Sequence, residues 1–179
     1  YLISEQYGPL EFSLNGLLEG AKLRPKELVT RTPFMFASEE SYKLTQAKRI
    51  IDGSSDSFIL IGNDKGTDQK VFKELRKAYG DRIQGAYLHV VDNKKLAKGL
   101  IPFNTAFDIA VSEYTQGRMK KTDTKKIGKS INGVEKFHKV FPKNAHCPKN
   151  KDQLKTKKVK SFAPLIGSIS RKTLEYCNT

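Results

Sequence analysis

Short apolar runs alternate with amphipathic stretches over the first 117 residues. Residues 1–4, Tyr-Leu-Ile-Ser, and residues 28–30 read as short strands, and residues 83–91 as a longer one. Residues 58–61, Phe-Ile-Leu-Ile, are continuously apolar without alternation, the pattern of a strand buried on both faces of a parallel sheet. Between these runs the apolar spacing changes to that of helices. Residues 9–18 place Leu10, Leu14, Leu17 and Leu18 on one face. Ser38 is positioned to cap a helix from Glu39 to Ile51, with Glu39 and Glu40 in its first turn, Leu44, Ala47 and Ile51 inward, and Gly53 after its end. Thr67 or Asp68 opens a helix carrying Val71, Phe72, Leu75 and Tyr79 on one side. Thr105 opens another with Phe107, Ala110, Val111 and Tyr114, closed by Gly117. This alternation predicts an α/β domain with a mainly parallel sheet flanked by helices.

Beyond Gly117 the pattern weakens. Ile127, Ile131 and Val134 fit one more helix, which Gly128 and Gly133 disfavour. Residues 142–160 offer little to bury and are expected to be mobile or loosely packed, within a basic, partly irregular extension, 118–179, of the domain at 1–117. Charge divides at the same place. Residues 1–117 carry 16 Lys and Arg against 15 Asp and Glu, whereas 118–160 carry 15 against 3. Nearly all of the net charge of +14 therefore belongs to one segment. A lysine run of this kind is most often a solvated face. It also suits anionic phospholipid at a peripheral membrane surface, at about 1 kcal/mol per basic residue. Nucleic acid is a weaker fit, because Phe137 and Phe141 are the main aromatics for stacking on bases.

No apolar run approaches the roughly 18 residues that a membrane-spanning helix needs. Cys147 and Cys177 are the two cysteines, and neither belongs to a CxxC pair. Their pairing would imply an oxidising, extracytoplasmic compartment; two independent thiols fit the sequence equally well. His89, His138 and His146 form no legible cluster, and each reads as an ordinary structural position.

Candidate chemistry concentrates at 58–68, where an apolar strand runs into Gly62-Asn63-Asp64-Lys65-Gly66-Thr67-Asp68 and then a helix. In open α/β sheets, ligands bind at the carboxyl ends of strands. Asn63, Asp64 and Asp68 supply oxygen donors of the kind Mg²⁺ takes. The same letters also suit a plain strand-to-helix turn.

Gly62, Asn63, Asp68 and Phe72 fall on successive positions of a Leu-(Ile/Val)-Gly-Asp-x-x-x-x-Asp pattern followed by an aromatic-bearing helix. In this the chain resembles HAD-superfamily phosphatases of the phosphatidate-phosphatase type, at their fourth motif. Gly80-Asp81-Arg82-Ile83 is similar to the turn that feeds their next strand, and Tyr42-Lys43-Leu44 to the start of their third-motif helix. Tyr1-Leu2-Ile3-Ser4 resembles the strand that ends in their second-motif Ser or Thr. The likeness covers residues 1–117.

The resemblance implies a HAD-like, Rossmannoid fold and a Mg²⁺-dependent phosphomonoesterase that works through an aspartyl-phosphate. By it, Ser4 would hydrogen-bond a phosphate oxygen and Lys43 would neutralise the phosphoryl group. Asn63 and Asp68 would hold the metal, with Asp64 beside them. The substrate would be a phosphorylated molecule such as phosphatidate. Asn63 stands where the family has Asp, which removes a charge from the metal site. No Asp-x-Asp pair occurs in the 179 residues, so the nucleophile is expected upstream and this chain alone is expected to be inactive. The alternative is a HAD-like module without catalysis that binds anionic lipid or nucleic acid through its basic segment.

Overall fold

The computed structural model describes residues 1–7, 25–31, 37–141 and 145–178, with the side chains of residues 4–7 outside the described set. They form an α/β structure whose parallel strands lie in two small sheets with helices beside them. The helix expected over residues 9–18 lies outside the described residues. Contacts divide the chain into two compact units, Tyr1–Ile59 with Lys70–Gln84 and Leu60–Gln69 with Gly85–Thr179.

In the first unit, β1 (Leu2–Tyr7) and β2 (Leu28–Arg31) pair in parallel, Leu2 opposite Leu28 and Ile3 opposite Val29. β1 continues through Ser4 to Tyr7, so Ser4 lies within a strand and not at its end as expected. Helix α1 (Glu39–Asp52) packs against β1. Ser38 caps it by accepting from the Ser41 amide at 3.2 Å, and Gly53 receives its last turn. Tyr42, Ala47, Ile50 and Ile51 are its buried residues. The turn after α1 is tied down by Arg82, which donates to the Ile51 carbonyl at 2.8 Å and also to the carbonyls of Ser54 and Asp56. Its guanidinium also lies over the Phe58 and Tyr79 rings, where the ring quadrupole attracts a cation.

A second sheet has the order β3 (Phe58–Asn63), β4 (Ile83–His89), β5 (Ile101–Phe103), with β4 and β5 parallel. β4, the central strand, buries Ile83, Ala86, Tyr87 and Leu88. β3 corrects the expectation of a strand buried on both faces. It is an edge strand among the described residues, and Ile59 and Ile61, which share a face at the strand period of two, are 43% and 60% exposed. Helix α2 (Asp68–Tyr79) follows, burying Val71, Phe72 and Leu75.

The described residues of the second unit include the α-helices α3 (Ala106–Thr115), α4 (Lys121–Asn132) and α5 (Ala163–Cys177). Asp108 starts α3 by accepting from the Asn104 and Thr105 amides, both at 2.8 Å. Residues 149–160 are exposed or half-buried, as expected of a stretch with little to bury, but the segments on either side of 142–160 are packed. Phe137, Phe141, Phe162 and Ile169 are buried with Phe107 and Val111 in one core, so residues beyond 118 are partners of α3. A charged segment with few apolar residues is ordered because its largest ones, Phe137, Phe141 and Phe162, are buried in that core. Gly128, expected to weaken α4, is what lets it approach α3: a Cβ there would stand 2.6 Å from Cε2 of Phe107. Cys147 and Cys177 are joined as a disulfide, closing the chain around α5.

Candidate functional site

β3 ends at Asn63, and α2 begins five residues later at Asp68. The intervening turn is built by the side chains proposed for chemistry. Asn63 Oδ1 accepts from the Lys65 amide at 3.0 Å and the Gly66 amide at 3.2 Å, an Asx turn. Asp68 reaches back, its Oδ2 accepting from the Asn63 amide at 2.9 Å. It stands in the first turn of α2, where the helix dipole favours a carboxylate. Asn63 and Asp68 are thus brought together at the carboxyl end of a strand, as their spacing predicts.

Asp64 is used differently. It is 2% exposed, and its Oδ1 accepts from the amides of Val91 at 2.7 Å and Asp92 at 2.8 Å, its Oδ2 from that of Lys94 at 3.1 Å. One buried carboxylate therefore closes the loop that follows β4, with charge-assisted bonds that are shorter and stronger than neutral ones. The Asp64 amide in turn donates to the His89 carbonyl at 3.1 Å. At the same strand end, His89 Nε2 donates to the Asn104 carbonyl at 3.1 Å, and the ring lies 5.1 Å from that of Phe103. Burial holds this imidazole below the ordinary histidine range, partly offset by the Asn104 carbonyl and by Asp64 and Asp108.

Ser4 and Lys43 belong to the first unit, and Asn63, Asp64 and Asp68 to the second. Ser4 is placed by its backbone in β1, with its side chain outside the described set. Lys43 lies in the first half of α1 and its Nζ pairs with Glu39 Oε1 at 2.9 Å. Its side chain is only 15% exposed, unlike the solvated lysine usual on a helix surface.

A magnesium site can be tested against this donor set. Asp68 offers the hard oxygen that Mg²⁺ takes, and a metal keeping several waters needs only one or two such ligands. Asn63 does not fit, since its one side-chain oxygen already accepts from the Lys65 and Gly66 amides. Asp64 does not fit, since both of its oxygens are committed to backbone amides. Among the described residues no three His, Cys, Asp or Glu side chains converge as a ligand group. Sequence reasoning missed the clamp by Asp64 and the pairing of Glu39 with Lys43. The second was legible in the i, i+4 spacing of opposite charges on one helix.

Comparison with protein families, with curated proteins and with solved structures gave no match for this chain.

Proposed function

We propose that these residues are the C-terminal part of a Mg²⁺-dependent phosphatase of the HAD type, acting on phosphomonoesters such as phosphatidate. The observation that carries this is the β3–turn–α2 unit, which sets Asn63 and Asp68 together at a strand's carboxyl end, where α/β enzymes bind ligands. The low exposure of Lys43 also favours a role beyond solvation. Bound magnesium would act as a Lewis acid on the phosphoryl oxygens, with Asp68 as its protein ligand and Asn63 shaping the turn that presents it. Lys43 would offset negative charge on the transferring group, and Ser4 would donate to one of its oxygens. Hydrolysis through an aspartyl-phosphate requires a nucleophilic Asp upstream, because no Asp-x-Asp pair stands in these residues.

The test is turnover of p-nitrophenyl phosphate with Mg²⁺ by the full-length protein and its Lys43→Ala variant. A loss of 100-fold or more in kcat is expected. Thermal stability should hardly change, since an i, i+4 pair on a helix contributes only about 0.3–0.5 kcal/mol. Unchanged turnover would remove Lys43 from the mechanism.

A second reading is favoured by a specific observation: Asn63 brings no charge, and the neighbouring Asp64 is occupied by the backbone. A module without catalysis, holding anionic lipid through the exposed lysines of α4, fits these facts. It predicts salt-sensitive binding to acidic vesicles by a full-length protein that hydrolyses no phosphomonoester.

A further inference from the structure

The second unit contains a cavity of about 370 Å³ beside the Asp64 clamp. Its walls include Asp64 from the turn after β3, Asn93, Lys94 and Lys95 from the loop after β4, Pro102 from β5, and Lys155 from the segment before α5. Three lysines from two distant stretches of chain therefore line one space. Lys94 is already engaged, its Nζ lying 3.1 Å from Asp92 Oδ2 and 2.9 Å from the Lys65 carbonyl. Asp64, the acid in the wall, spends its carboxylate on three amides. Lys95 and Lys155 line the cavity with no side-chain hydrogen bond or ion pair among the described residues.

The backbone holds them there. The Lys155 amide donates to Asn104 Oδ1 at 3.2 Å, and the neighbouring Thr156 hydroxyl bonds to Asp108. On the opposite wall the Asp64 clamp fixes the loop, and Asn93 adopts φ of +53°, a left-handed conformation that Asn tolerates better than most residues. Such conformations cluster where a loop is shaped for binding. Like charges fixed around one space repel, and an anion relieves that repulsion. Lysine is a compact point charge well suited to phosphate oxygens, and the volume accommodates a phosphate with a small organic group attached.

We propose that this cavity is a binding site for a phosphate monoester or phosphate anion, held by Lys95 and Lys155. The proposal is independent of hydrolysis, because the walls include none of Ser4, Lys43, Asn63 or Asp68.

The probe is inorganic pyrophosphate, titrated into the isotopically labelled full chain and followed by backbone amide NMR. Saturable shifts are expected at residues 93–96 and 155, and a Kd weakened at least tenfold in each of Lys95→Ala and Lys155→Ala. Lys121→Ala combined with Lys125→Ala removes the same kind of charge from α4 and should leave the Kd within twofold. Shifts that are absent, that do not saturate, or that centre on α4 would overturn the proposal, and so would equal weakening by the α4 pair. The shift map of the unsubstituted chain decides even where a variant fails to fold. Competition by glycerol 3-phosphate would identify a soluble ligand, whereas binding to phosphatidate vesicles blocked by pyrophosphate would identify a lipid headgroup. Failure of both competitors would likewise refute a phosphomonoester site. Retention of pyrophosphate binding by Lys43→Ala separates this site from the proposed hydrolytic one.

Discussion

Replacing Cys147 and Cys177 by Ser together opens the covalent loop that holds α5 to the rest of its unit. The bridged residues are 30 apart in sequence. In the chain-entropy description, a loop of that length withholds from the unfolded state an entropy worth about 3.6 kcal/mol at 25 °C. That is a large share of the roughly 5–15 kcal/mol by which domains are stable. Both cysteines also pack against the core of Phe137, Phe141 and Ile169, so the native contacts near them add little to the difference if Ser is tolerated. With a urea dependence of about 2 kcal/mol per molar, the unfolding midpoint should fall by roughly 2 M. Circular dichroism in a urea series, with and without reductant, measures it directly. The double variant should be insensitive to reductant and should match the reduced native chain. A midpoint that reductant moves by less than about 0.5 M would refute the bridge as a stabilising element. Labelling of either cysteine by an alkylating agent in the untreated native protein would refute the bridge itself.

Other consequences are open to measurement. Gly128→Ala should destabilise the chain by about 1–2 kcal/mol in urea unfolding, because the new methyl meets the buried Phe107 ring; helix propensity alone predicts a gain of about 1 kcal/mol, so the sign decides. Asp64→Asn should cost about 2–3 kcal/mol, since a neutral amide replaces a carboxylate serving three backbone donors, and magnesium should leave that loss unchanged. Burial depresses the His89 titration, so the unfolded chain takes up the proton first as pH falls. Stability tied to His89 should be complete above about pH 6.5 and decline below it, and His89→Gln should flatten that part of the profile of unfolding free energy against pH.

Much of the architecture could be read from local spacing. Ser38 with Glu39 and Glu40 announced α1, and Val71, Phe72 and Leu75 announced the inner face of α2, because caps and i, i+3, i+4 faces are short-range features. What escaped was non-local. The letters of β3 are those of a buried strand, yet its exposure depends on how many neighbours it has, which the strand itself does not encode. β5 is three residues long with Pro102 at its centre, too short and too irregular to show a period. α5 buries Ile169 and Thr173, and the Thr173 hydroxyl is satisfied by the Ile169 carbonyl at 2.9 Å; a polar residue on the inner face hid the apolar stripe. At the candidate site, Asn63 and Asp68 meet as their spacing implied, since a turn is local. The duty of Asp64 depends on amides at 91, 92 and 94, and no inspection of residues 58–68 reveals them.

Lys149, Lys151, Lys155, Lys157, Lys158 and Lys160 all fall between Cys147 and Cys177, so a dense run of trypsin sites lies within the stretch enclosed by the bridge. A single cleavage there cuts the backbone yet releases nothing, because each new end stays tethered through sulfur. The nicked protein would run as one species on a gel until thiol is added, and only then shed its last helix.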